Sequence, residues 1–194
     1  MLVGMDVEVV RSSRRRKTVQ ARVVDGKIRV LIPAWMSTAE EQRHVADMVR
    51  RLTRRAASDH IDVEARAAGL AARYGLPRPA HIRFVDNQGA RWGSCTPADG
   101  TIRLSSRLAA FPAWVLDYVI VHELAHLVEA NHGPRFHALV ERYPRAERAR
   151  GFLIAIDLNA GAAAPTDEDS DDVTTGGPPE QGALFDDVYA AGAS

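Results

Sequence analysis

Val121-His122-Glu123-Leu124-Ala125-His126 lies inside an apolar segment, and the reading of the whole chain turns on it. The residues before it, Ala113 to Val121, carry one charge and no Gly or Pro. Pro112 stands where a helix would begin, because Pro lacks only an N–H that has no partner in the first turn anyway. On a helix over 113–130 the two histidines are one turn plus about 40° apart and face the same side. Glu123 stands beside them. Two imidazoles over one point suit a divalent ion, zinc by ligand type, with a third protein ligand from elsewhere. A lone histidine on an apolar helix is most often a satisfied core residue, and His44 and His60 are read as ordinary. Here a buried Glu and two His without a partner would be costly. His132 supplies a third candidate: Asn131 and Gly133 beside it end helices and accept left-handed backbone, so a turn can fold it back.

The 194 residues amount to one domain with a tail. No stretch approaches the ~20 apolar residues of a membrane span, and the N-terminus lacks a signal-peptide pattern. Cys95 is the single cysteine, so no intrachain disulfide forms, and a cytoplasmic location is expected. The net charge of zero hides an asymmetry. Residues 157–194 hold nine Asp/Glu and no Lys/Arg, which leaves 25 basic against 16 acidic side chains in residues 1–156. The tail either shields a basic surface or meets a different partner.

Residues 5–10 alternate apolar and polar, as do Thr18–Val24 and Lys27–Ile32, the latter two separated by the hairpin signal Asp25-Gly26. A small antiparallel sheet over residues 1–33 is expected. The basic run Arg11 to Lys17 is read as a solvated loop, with phosphate or nucleic-acid contact as the sharper alternative. Ser37 or Thr38 caps a long Ala/Arg-rich helical region that runs to about Arg73, with a break near Ser58-Asp59-His60; Gly75 and Pro77 end it. Strands are expected at Ala80–Val85 and Thr101–Leu104, with Arg91-Trp92-Gly93-Ser94-Cys95 between them. Helices are expected from Pro134 to Val140 and from Pro144 to Ile156. From Asn159 onward there is little to bury, and disorder is expected.

Arg91-Trp92-Gly93-Ser94-Cys95, then Tyr118 to Leu127, then Asn131-His132 and Phe136, resemble the YgjP-like metallopeptidases of M48 type, relatives of the SprT and WLM zincins. The resemblance covers about residues 5–156. It implies an α+β, zincin-like domain over 1–156, with a catalytic core at 80–156; composition, not the resemblance, marks 157–194 as a disordered acidic tail. The resemblance implies one Zn2+ per chain held by His122, His126 and His132, with Glu123 as catalytic carboxylate. It also implies a substrate cleft lined by Trp92–Cys95 and the strand at 101–104. Glu129, seven residues after His122, falls on nearly the same helical stripe; it either orients a ligand histidine or replaces His132.

The reaction expected is peptide-bond hydrolysis through a zinc-activated water with Glu123 as general base, on a peptide or protein substrate. Tyr118, Arg135, His137 and Tyr143 are the candidates for stabilising transition-state charge. The alternative reading is a basic, nucleic-acid-associated module with a zinc site, DNA or DNA-bound proteins being its candidate partners. In that reading Gln181, Leu184 and Phe185 of the tail dock on a sliding clamp and tether a protease to DNA-bound proteins.

Overall fold

The computed structural model describes residues 5–88 and 91–162; the tail, with its Gln181–Phe185 motif, lies outside the described residues. The chain folds as α+β and divides into two compact units, Met1–Ile61 and Asp62–Ser194. Among the described residues no helix is long and apolar enough to cross a membrane.

The first unit is a three-stranded sheet covered by one helix. Strands β1 (Val7–Ser12), β2 (Gln20–Val24) and β3 (Lys27–Pro33) are ordered β1-β3-β2. Alternation along β3 buries Ile28, Val30 and Ile32 on one face. Helix α1 (Thr38–Asp59) lays Val45, Met48, Val49 and Leu52 on that face, at the i, i+3, i+4, i+7 spacing of a helical stripe. A capping box starts α1: the Ser37 hydroxyl accepts from the Glu40 amide at 3.3 Å, and the Glu40 carboxylate accepts from the Ser37 amide at 3.0 Å.

The sheet differs from the antiparallel expectation. The Asp25-Gly26 hairpin joins β2 and β3 as expected, but β1 pairs parallel with β3, Val9 opposite Val30. The physical reason is length. Residues 13–19 are enough chain to cross the end of β3, two strand spacings or about 10 Å, and this gives β3 a neighbour on both sides.

The second unit begins with helix α2 (Val63–Tyr74), whose cap Asp62 accepts from the Ala65 amide at 2.9 Å. Gly75 ends it at φ +64°, a left-handed position that glycine takes without cost. Strands β4 (His81–Val85), β5 (Gly93–Thr96) and β6 (Thr101–Ser105) repeat the first sheet's arrangement, β4-β6-β5, with β4 parallel and β5 antiparallel to β6. After a 3₁₀ turn at Ser106–Ala110 comes α3 (Ala113–His126), then α4 (Pro134–Val140) and α5 (Ala146–Ala162). Every residue of α3 from Tyr118 to His126 is buried. Helices α2, α4 and α5 and strands β5 and β6 all pack on α3, which is therefore the axis of the unit. Arg66 of α2 fixes the entry to α3 through Asp117 at 2.6 Å and the Ala113 carbonyl at 3.3 Å. Helix α5 continues through Ala162, six residues past the expected end of the domain.

Candidate metal centre

Helix α3 stops at His126, not at 130. The amides of Leu127, Val128 and Glu129 turn back onto the carbonyls of Leu124 and Ala125 at 3.2, 3.0 and 2.9 Å. This tightened end frees residues 127–133 to loop round and return His132 to the helix. The ligand-capable atoms of His122, His126 and His132 lie within 4.8 Å of one another. Phe136 of α4 is 1% exposed, and its ring stands against all three imidazoles, with centroids 4.8, 4.5 and 4.6 Å away.

The donor set fits a divalent cation. His122 Nε2 and His132 Nε2 are 3.3 Å apart. Two nitrogens bound at 2.0–2.1 Å in a tetrahedron are separated by about 3.3–3.4 Å. Burial, then the neighbouring His126, His132 and His137, holds the His122 pKa well below its usual value. His126 is held down to about 4, by burial first and then by His132. Both rings are therefore neutral, as ligands must be. The contact of His126 Nδ1 with the Glu129 carbonyl, at 3.2 Å, selects the tautomer that leaves its Nε2 lone pair free. His122 Nδ1 is buried with no hydrogen-bond partner. An orphaned donor of that kind costs about 1–3 kcal/mol, which a cation on the other ring nitrogen would offset.

Glu129 corrects the helical-stripe argument. Because α3 ends early, its main-chain oxygen meets His126, while its carboxylate pairs with Arg135 at 3.8 Å. Among the described residues the cluster of ligand atoms comprises the three histidines and does not include Glu129.

Glu123 is 2% exposed, and burial raises its pKa to about 8, with Arg91 opposing the rise. Its side chain lies against the backbone of Gly93. A Cβ at position 93 would sit 2.8 Å from the Glu123 carboxyl carbon and 2.9 Å from Cγ, closer than side chains tolerate. The strand carrying Gly93 is clamped in turn. Trp92 is 1% exposed; its Nε1 donates to Asp157 of α5 at 2.9 Å, and the Arg107 guanidinium covers its ring at 3.8 Å. Arg107 also donates to the Arg91 carbonyl at 3.2 Å, and the Ser105 amide donates to the Trp92 carbonyl at 2.9 Å. Sequence reasoning named Trp92 and Gly93 but not Arg107 or Asp157, which nothing local marks. Of the segments expected to line the cleft, β6 is the central strand, covered on both sides, and β5 carries the sheet edge.

A cleft opens beside His122 and His132, lined also by Tyr118, His137, Glu141 and Arg150. It separates the four candidates for charge stabilisation. Tyr118 and His137 face it, whereas Arg135 and Tyr143 are not among its lining residues. Tyr143 donates its hydroxyl to the Trp114 carbonyl at 2.9 Å, and burial pushes its pKa up to about 12. Arg150 joins the cleft from α5, a position no sequence signal foretells.

No curated protein matches the chain. Two solved structures are similar to half of it. The metallopeptidase zymogen abylysin of Pyrococcus abyssi is 25% identical over 51% of this chain and 95% of its own, with a TM-score of 0.44. The zymogen jannalysin of Methanocaldococcus jannaschii is 20% identical over 50% of this chain and 97% of its own, also with a TM-score of 0.44. The family described as "YgjP-like, metallopeptidase domain" matches residues 17–153, well over half of the chain and inclusive of every residue of the histidine cluster, and the protein belongs to that family.

Proposed function

We propose that the protein is a zinc-dependent peptidase in which His122, His126 and His132 hold one Zn2+ and Glu123 is the general base. The observation that carries this reading is the convergence of three imidazoles, His122 and His126 on α3 and His132 from the loop that follows, with the buried Glu123 on the same helix as the first two. Zinc, when bound, supplies a Lewis acid that polarises a peptide carbonyl and acidifies water. The chain's own residues do the rest. Glu123, fixed against Gly93, takes a proton from the attacking water and returns it to the departing amine. Burial, which raises its pKa, strengthens it as a proton acceptor. Strand β5 is paired with β6 on one side; a substrate backbone would add along its other edge and bring the scissile bond over the histidines. Tyr118 and His137, which line the cleft beside His122, would stabilise the charge that develops on the carbonyl oxygen.

Elemental analysis of the purified chain, run beside a hydrolysis assay on an unfolded protein such as casein, tests the reading. One zinc per chain is expected, with strong loss in His132→Ala. Glu123→Gln should retain the metal and lose at least about a hundredfold in rate. Parental activity in Glu123→Gln would remove Glu123 from the chemistry. Full zinc retention in His132→Ala would remove that histidine from the ligand set.

A further inference from the structure

The first unit has a feature that hydrolysis does not use. Two segments meet at one end of its sheet: the loop 13–19 leaving β1 for β2, and the Ala34-Trp35 turn leaving β3 for α1. Strand β1 runs parallel to β3, so both exits fall at the same end, with the start of β2 beside them. Trp35 is 66% exposed, and its Nε1 donates to the Arg16 carbonyl at 3.1 Å, so the indole is pinned to the basic loop rather than tucked into the core. Inside the loop, Arg15 donates to Thr18 Oγ1 at 3.1 Å and to Gln20 Oε1 at 2.7 Å. Beneath it, Arg11 donates to the carbonyls of Ala34 and Met36 at 3.1 and 2.9 Å and pairs with Glu41. The loop and the turn are thereby tied into one platform.

The charge on this platform is unbalanced. Residues 1–61 carry 13 Lys/Arg against 7 Asp/Glu. The acids are largely occupied: Asp6 faces Lys27, Glu8 pairs with Arg29, Glu41 with Arg11, and Asp47 with Arg50. Arg14, Arg16 and Lys17 are exposed and make no ion pair among the described residues. A fixed aromatic face beside three free cations is the pairing that stacks a base and holds its phosphates.

The geometry points to a docking surface for single-stranded nucleic acid, built by Trp35 with Arg14, Arg16 and Lys17 at this end of the sheet. The solvated-loop reading accounts for the cations but leaves the pinned, exposed indole without a role. An anionic membrane would also attract the cations, but insertion needs apolar area beside the ring. Val19, the large apolar side chain of the loop, packs against the sheet core instead, and the indole N–H is already engaged.

Fluorescence anisotropy of the full chain with labelled oligo(dT) of about twelve nucleotides, titrated with NaCl, tests this. Binding should weaken about tenfold or more in Trp35→Ala, while Trp35→Phe, which keeps a stacking face but drops the hydrogen bond, stays within about threefold. Arg14→Ser/Arg16→Ser/Lys17→Ser should flatten the log–log salt slope by about 0.7 for each phosphate contact removed. Polyphosphate of matched length should bind with no dependence on Trp35. Far-UV circular dichroism checks that each variant is folded. The absence of oligonucleotide binding at low salt, equal affinity in Trp35→Ala, equal loss in the Ala and Phe variants, or binding to phosphatidylserine vesicles in place of the strand would each overturn the assignment. Every readout is independent of peptidase activity and of zinc.

Discussion

Cys95 shows how burial decides what a reactive residue does. It lies on β5 next to the proposed base, where a thiolate would compete for zinc. Burial, then the charges of Glu123 and Asp99, raises its pKa to about 12. The sign is unambiguous: raising a thiol's pKa keeps it protonated and unreactive until the pH approaches the raised value. At pH 8 only about one molecule in ten thousand carries the thiolate. Iodoacetamide labelling of the native protein at pH 8 should therefore run at least about a hundredfold slower than in denaturant, and should keep rising with pH without a plateau below about pH 11. Labelling at the rate of a free cysteine would mean that the β5 edge opens to solvent. The same scale shows what spacing alone can tell. His122 and His126 were legible because i, i+4 on any helix puts two side chains together. Glu129 falls off the helical stripe because α3 ends four residues before the expected 130, and its contact with a ligand histidine runs through its main-chain oxygen rather than its carboxylate. The apolar pattern runs on through Leu127 and Val128, and only the carbonyls that receive the returning amides show where the helix ends.

Strand β5 is the element on which the proposed chemistry most depends, and it is four residues long. Gly93-Ser94-Cys95-Thr96 has neither the length nor the branched side chains that signal a strand; pairing with β6, not propensity, makes it one. The longer elements could be read locally. The cap at Ser37, the Gly75 stop and the Asp25-Gly26 hairpin each stand where sequence chemistry puts them, whereas the Asp62 cap of α2 is not among the sequence expectations. The parallel pairing of β1 with β3, and of β4 with β6, is non-local and leaves no trace in period or composition. Gly93 links the element to its consequence. In Gly93→Ala the new methyl would enter the space of the Glu123 carboxyl group, and such overpacking costs about 1–3 kcal/mol. A base displaced by about 1 Å loses on the order of a hundredfold in rate. We expect Gly93→Ala to keep its zinc, melt a few degrees lower and lose about a hundredfold in kcat. A variant with parental kcat would show that Gly93 does not set the position of Glu123.

Across the whole molecule, the division at Ile61/Asp62 assigns the histidine cluster to the second unit and the Trp35 turn to the first. The sequence contains the break between α1 and α2, visible at Ser58-Asp59-His60. Nothing in it says that the segments on either side gather separate cores, because each core is assembled from positions dispersed along its own half. The division has a measurable consequence for metal removal. His122 and His126 lie on α3 and His132 in the loop before α4, all within the second unit, so binding free energy is delivered to that unit. For a site filled at a thousand times its Kd that stabilisation is about 4 kcal/mol. Hydrogen–deuterium exchange of the zinc-loaded chain against the chelator-treated chain should show protection lost in Ala113–His126, in Pro134–Val140 and in Gly93–Thr96, which packs on the metal helix. Amides of Lys27–Pro33 and Thr38–Asp59 should exchange at the same rate in both samples. Equal loss of protection in the two units would mean that they unfold as one. In that case the metal would stabilise the first unit as well, and the nucleic-acid surface would respond to zinc.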